Sequence, residues 1–188
     1  MDKLNILGIV GSLRKGSYNH FALKAAQELL PDNVELTLVD LHGIPVFNQD
    51  DEMAMPAAVT EFKQKILAAG AILFATPEYN YSLPGGLKNA IDWASRPYGK
   101  SAWQGKPAAI MGASIGSFGT ARAQYDLRKI LVALDMPVVV QPEIMIGNAA
   151  QKFDQDGKLT DEPTRKMIGK LLSALVDLEK STRRTTGS

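Results

Sequence analysis

The stretch Gly11-Ser12-Leu13-Arg14-Lys15-Gly16-Ser17-Tyr18-Asn19 follows an apolar run, Leu4 to Val10, and leads into an amphipathic helical pattern from His20 to Leu30. A buried strand, a polar glycine-containing loop and a helix, in that order, form an anion-binding arrangement. The first turn of a helix carries N–H groups without partners and a partial positive charge, so an anion placed there is held by otherwise unpaired donors. Ser12, Ser17 and Asn19 add neutral side-chain donors, and Arg14 adds a planar cation able to grip a phosphate through two hydrogen bonds.

What the loop lacks narrows its ligand. Gly11 and Gly16 have the spacing of a nucleotide-triphosphatase loop, but Ser17 and Tyr18 stand where that loop needs Lys followed by Ser or Thr, so nothing would hold a terminal phosphate or its magnesium. A dinucleotide fingerprint needs Gly-x-Gly-x-x-Gly, which Gly8-Ile9-Val10-Gly11 does not supply. Asp40, at the end of the next strand, imitates the ribose-binding acid by position and reads more simply as a strand-end or capping residue. Hydroxyls, an amide and one Arg suit a monophosphate dianion better than a pyrophosphate. The readings that remain are a mononucleotide or flavin mononucleotide, with a sugar phosphate next.

Composition bounds the rest. A chain of 188 residues fits one domain, since domains run to roughly 100–200 residues. We expect a single domain over 1–180 and a polar C-terminal tail over 181–188. The absence of cysteine removes disulfides, thiolate catalysis and cysteine-ligated metal centres together, and two histidines, His20 and His42, are too few for a histidine-rich metal site. With 21 basic and 20 acidic residues and a net charge of +1, no basic run points to nucleic acid. Met1-Asp2-Lys3 passes directly into a strand and no long apolar stretch follows, so a cytoplasmic protein without a membrane partner is expected.

Further candidate strands are Val34 to Asp40, Ala71 to Thr76, Ala108 to Ala113 and Val138 to Gln141. Helical spacing marks Ala57 to Ala69, a segment opened by Pro84, Thr120 to Leu134, and Glu162 to about Leu178. Leu41 to Met55 reads as a surface loop, and the region from Gln151, with Asp156-Gly157, as a turn or short hairpin. Strands and helices alternate, which predicts an α/β fold with a five-stranded parallel sheet and helices on both faces. Ligands of such sheets sit beyond the carboxyl ends of the strands where strand order reverses. Polar loops follow the first, third and fourth strands; in a flavodoxin-like strand order these strands are neighbours and the three loops converge on one crevice.

Three motifs over most of the chain give it a family likeness. They are Gly11 to Asn19; Thr76-Pro77-Glu78-Tyr79-Asn80 continued by Ser82-Leu83-Pro84-Gly85-Gly86-Leu87-Lys88-Asn89-Ala90-Ile91-Asp92-Trp93; and Ser114-Ile115-Gly116-Ser117-Phe118-Gly119. With these the chain resembles the NAD(P)H-dependent FMN reductase family, in its chromate, quinone and azo-dye reductase branch. The resemblance implies a flavodoxin-like three-layer sandwich, a tightly but non-covalently bound FMN, NADPH or NADH as co-substrate, and two-electron reduction of quinones, metal oxyanions, azo dyes or flavins. It also implies a homodimer or homotetramer.

Carried over by position, Ser12, Arg14, Ser17, Tyr18 and Asn19 resemble the FMN phosphate loop. Pro77, Glu78, Tyr79 and Asn80 resemble the loop along the edge of the isoalloxazine ring, and Ser114, Gly116 and Ser117 the opposite wall. No acid–base pair is implied, because flavin performs the hydride chemistry itself. Arg96 and Lys100, after Trp93, are candidates for steering NAD(P)H or an anionic acceptor. Arg122, Tyr125 and Glu143 match a family subunit contact, with a contact inside one chain as the other reading. A flavodoxin-type electron carrier with no substrate site of its own is the competing function.

Overall fold

A computed structural model of the protein describes residues 3–186. Five strands, β1 (Leu4–Val10), β2 (Val34–Val39), β3 (Ala71–Ala75), β4 (Ala108–Ala113) and β5 (Ile144–Ile146), form one parallel sheet in the order β2-β1-β3-β4-β5. Helices α1 (Tyr18–Gln27) and α5 (Glu162–Thr186) cover one face, and α2 (Ala57–Ala68), α3 (Gly85–Ala94) and α4 (Ala121–Ala133) the other. Covering both faces is what makes β3 and β4 apolar at every position. Leu73 and Met111 enter the α1/α5 core, and Phe74 and Ile110 the opposite one. Trp103, in the second core, and the buried Trp93 both have partnered indoles. Trp103 Nε1 donates to the Ile91 carbonyl at 3.0 Å and Trp93 Nε1 to that of Pro45 at 2.9 Å, the latter pinning the β2–α2 connection to α3.

β1 hands the chain leftwards to β2 and β3 hands it rightwards to β4, so strand order reverses between them. At that point the Gly11 N–H donates to the Ala75 carbonyl at 2.9 Å, and a Cβ on Gly11 would lie 2.9 Å from the same oxygen. Only glycine lets the first loop leave this close to β3.

Several boundaries differ from expectation. The fifth strand is Ile144–Ile146 and not Val138 to Gln141. Val138 makes a single parallel bridge to Ala108, and pairing resumes only at Ile144 opposite Met111. Pro137 and Pro142 lack N–H groups for a ladder, so the chain bulges between them. α1 runs from Tyr18 to Gln27 and not from His20 to Leu30, because the Ser17 hydroxyl caps it by accepting from the Asn19 N–H at 3.2 Å. α5 continues past Leu178 to Thr186, through the segment read as a polar tail. Polarity alone does not stop a helix: no Gly or Pro occurs between Leu178 and Gly187, and Arg183 pairs with Glu179 one turn back. Residues 187 and 188 of that tail lie outside the described residues. The loop from Leu41 to Met55 contains a 3-10 turn, Gln49–Ala54, and the hairpin after Gln151 closes through a Phe153–Leu159 bridge. No helix of the described residues is long and apolar enough to cross a membrane.

Candidate functional site

The first loop is built as a donor surface. Ser12, Ser17 and Asn19 are buried while Arg14 is exposed at the rim. The Ser12 hydroxyl accepts from the Arg14 N–H at 3.3 Å. Among the described residues no acceptor meets the N–H groups of Lys15, Gly16, Ser17 or Tyr18. Four adjacent unpaired donors at a helix start are a receptor for an anion. Asn19 departs from expectation: its amide is turned inward, donating to the Ala113 carbonyl at 3.0 Å and accepting from the Ala113 N–H at 2.8 Å. It joins α1 to the end of β4 instead of offering its side chain as a free donor.

The second loop is a tight hairpin. Tyr79 and Ser82 exchange N–H to carbonyl bonds of 3.0 and 3.1 Å across Asn80 and Tyr81, whose φ values of 50° and 69° lie in the left-handed region. The Tyr79 N–H is therefore used within the turn, while those of Glu78 and Asn80 meet no acceptor among the described residues. Tyr79 and Ser12 approach across the crevice, hydroxyl to hydroxyl, at 3.5 Å. Glu78 lines the crevice but its carboxylate belongs to α4, accepting from the N–H groups of Arg122 at 3.0 Å and Ala123 at 3.2 Å and pairing with the Arg122 guanidinium. Ser82 Oγ donates to Asp126 at 2.8 Å; Lys129 and this hydroxyl, in that order, hold the Asp126 carboxyl below its usual range.

Together the loops enclose a cavity of about 440 Å³ lined by Ser12, Arg14, Ser17, Tyr18, Asn19, Pro77, Glu78, Tyr79 and Ser114. Asn80 and Gly116 line an adjoining cavity of about 340 Å³ that shares Glu78 and Ser114 with the first. Ser117 lines neither; its carbonyl packs where a Cβ on Gly147 would stand. Residues that sequence reasoning missed are Ala113 and Ile115 in the first cavity and Tyr81, Phe118, Gly119 and Arg122 in the second. Ala113 looks like an ordinary core residue in sequence, marked only by its position at a strand end, whereas Ile115 lies within the third loop motif between the candidate residues Ser114 and Gly116. Asp40 directly follows β2, and its carboxylate accepts from the His42 N–H at 3.0 Å, a strand-end cap.

Arg96 and Lys100 are not brought to either cavity. They follow the C-terminal end of α3, whose 10 residues carry the chain about 15 Å away from the crevice at 1.5 Å per residue. There Arg96 pairs with Glu52, and the Lys63 ammonium binds the carbonyls of Arg96 and Lys100. The Tyr125 hydroxyl donates to Glu143 within the chain at 3.2 Å, and Arg122 turns from that pair to Glu78.

An open doubly wound sheet with three switch-point loops around an anion-receiving crevice defines a flavodoxin-like α/β protein. The sequence profile of the NADPH-dependent FMN reductase family matches residues 4–151. The chain belongs to that family. It is 53% identical over 93% of its length to an NAD(P)H-dependent FMN reductase of Pseudomonas aeruginosa, covering 94% of that protein. It is 44% identical over 88% of its length to a 2-hydroxy-1,4-benzoquinone reductase of a Burkholderia species, covering 90% of it. A solved structure, the flavoenzyme NAD(P)H:(acceptor) oxidoreductase FerB of Paracoccus denitrificans, superposes with a TM-score of 0.88 at 40% identity, over 95% of this chain and 98% of that one.

Proposed function

We propose that this chain is a cytoplasmic FMN-dependent NAD(P)H oxidoreductase that reduces quinones and, through the same open site, other small acceptors such as chromate, azo dyes and flavins. The observation that carries the reading is the convergence of an unpaired N–H cradle and a second, backbone-donor loop on one cavity at the switch point. The residues present suit FMN. No acid occurs between Gly11 and Asn19 to oppose a phosphate, and about 440 Å³ lies within the ~300–1,000 Å³ of cofactor pockets.

In this reading the N–H groups of Lys15 to Tyr18, the hydroxyls of Ser12 and Ser17 and the Arg14 guanidinium hold the phosphate. Pro77 to Asn80 border the ring edge, where the Glu78 and Asn80 N–H groups face negative charge. Ser114 and Gly116 form the opposite wall. Bound FMN supplies the hydride chemistry, so the protein's work is to bind, orient and set the local charge. The exposed apolar side chains of Tyr125 and Val132 on α4 and of Val140 before β5 (51, 75 and 72%) support assembly as a homodimer or homotetramer.

Flavin extraction followed by steady-state NADPH oxidation with 1,4-benzoquinone tests the reading. One FMN per chain and turnover without a partner protein are expected. FAD or no flavin after reconstitution overturns the cofactor, and bound FMN that neither NADH nor NADPH reduces returns the carrier function to first place.

A further inference from the structure

Glu78 presents a charge problem. It lines both cavities of the crevice, and a carboxylate there opposes any ligand that gains negative charge on reduction. Yet its side chain is only 7% exposed and every contact it makes is to α4. The two backbone donors it meets, Arg122 and Ala123, belong to the first turn of that helix. The residue placed by sequence to cap α4, Thr120, makes no side-chain cap; its hydroxyl accepts from Gln124 Nε2 at 3.0 Å instead. An acid 44 residues upstream therefore caps the helix. The Arg122 guanidinium completes the arrangement, pairing with Glu78 and stacking 3.9 Å from the centre of the Tyr81 ring. It thus holds down a bulky residue with φ of 69° that would otherwise oppose the turn.

We propose that Glu78 is a positioning residue whose pairing with Arg122 sets how much more tightly the protein holds reduced than oxidised FMN. This rests on the FMN reading above. Through α4 it fixes the free N–H groups of Glu78 and Asn80 at the cavity wall, and Arg122 with the helix terminus cancels its charge. The pair makes opposite predictions for its two halves. Glu78→Gln keeps a cap acceptor, removes the negative charge and leaves Arg122 uncompensated, which favours the reduced, more anionic cofactor. Arg122→Met keeps the stem volume and leaves the carboxylate without its cation, which favours the oxidised cofactor.

The experiment measures the midpoint potential and the FMN dissociation constant of the purified chain and both variants, with thermal melting of the apoproteins as a flavin-independent readout. The ratio of oxidised to reduced FMN dissociation constants should rise about three- to tenfold in Glu78→Gln and fall by a similar factor in Arg122→Met, the scale of one partly screened charge. The double variant should return toward the parent ratio. A merely structural role lowers both melting points and leaves both ratios unmoved; that outcome, or shifts of the same sign, overturns the proposal. If Glu78→Gln does not fold, Arg122→Met with an unchanged or raised ratio overturns it alone. Failure of the parent chain to bind FMN overturns the cofactor reading itself and is distinguished by the parent measurement.

Discussion

Asn19 and Ala113, 94 positions apart, exchange two hydrogen bonds, the Asn19 amide donating to the Ala113 carbonyl at 3.0 Å and accepting from its N–H at 2.8 Å. The side chain thereby imitates one more rung of a parallel ladder. It ties the start of α1, which bears the anion cradle, to the end of β4, which starts the opposite wall. Both partners are buried, so removing the amide leaves a peptide group without water or protein to replace it. Asn19→Ala should cost about 2–4 kcal/mol, the sum of a lost bond and unsatisfied buried groups. Asn19→Asp should be no better, since it loses the donor and buries a charge. Urea denaturation midpoints check both.

Arg14 is exposed at the rim of the cavity while the neighbouring serines are buried. Its removal should therefore spare the fold and weaken the ligand. Arg14→Ala should lower FMN affinity by about 1.5–3 kcal/mol, the range for a hydrogen bond to a charged group, with an unchanged melting point of the apoprotein. Fluorescence titration of FMN into apoprotein measures it; an unchanged dissociation constant would remove Arg14 from the phosphate site.

Three carboxyls, Asp40, Asp126 and Asp161, have pKa values held below the usual carboxylate range. For Asp126 the leading cause is the Lys129 hydrogen bond, and for Asp161 the Thr164 hydroxyl. A group whose folded pKa is depressed adds stability above its unfolded pKa of about 4, and that contribution is lost as pH falls through the folded value. Asp126→Asn should therefore narrow the stability gap to the parent as pH falls below about 4 and leave it constant between pH 5 and 7. Melting temperatures of both proteins across that range give the comparison.

In the proposed binding mode, with the phosphate in the first loop and one ring edge at the second, a single open face remains for donor and acceptor. They must use it in turn. Initial rates at several fixed quinone concentrations should give parallel double-reciprocal plots, and NADPH alone should bleach the flavin absorbance completely. Intersecting plots would mean a second acceptor site.

Tyr125 gives its hydroxyl to Glu143 in the same chain yet stays half exposed, and Val132 on the same helix and Val140 are exposed as well. Tyr125→Asn removes this exposed ring. A shift toward smaller species in light scattering across dilution is expected, and an unchanged molar mass at every concentration would place the subunit contact elsewhere.

The order of elements and the three polar loops could be read from sequence because they depend on local signals. Buried strands are apolar at every position, helices repeat at 3.6, and a loop after a strand falls at one end of a parallel sheet. The ends of elements were less legible where the chain's own chemistry gave no stop. α5 ran on through Ser181 to Thr186 because nothing there breaks a helix, and the fifth strand moved to Ile144 because Pro137 and Pro142 cannot feed a ladder.

The sequence by itself determined the doubly wound sheet, the glycine at the switch point and the donor-rich first loop. Only the tertiary structure decided to whom the polar side chains belong: Asn19 to Ala113, Glu78 to the first turn of α4, Arg122 to Glu78 and Tyr81, and Arg96 to Glu52. A hydrogen bond acts over about 3 Å, and these partners lie between 41 and 94 positions apart along the chain. Residue type states what a side chain can bond, and the packing of helices on the sheet chooses which bond it makes.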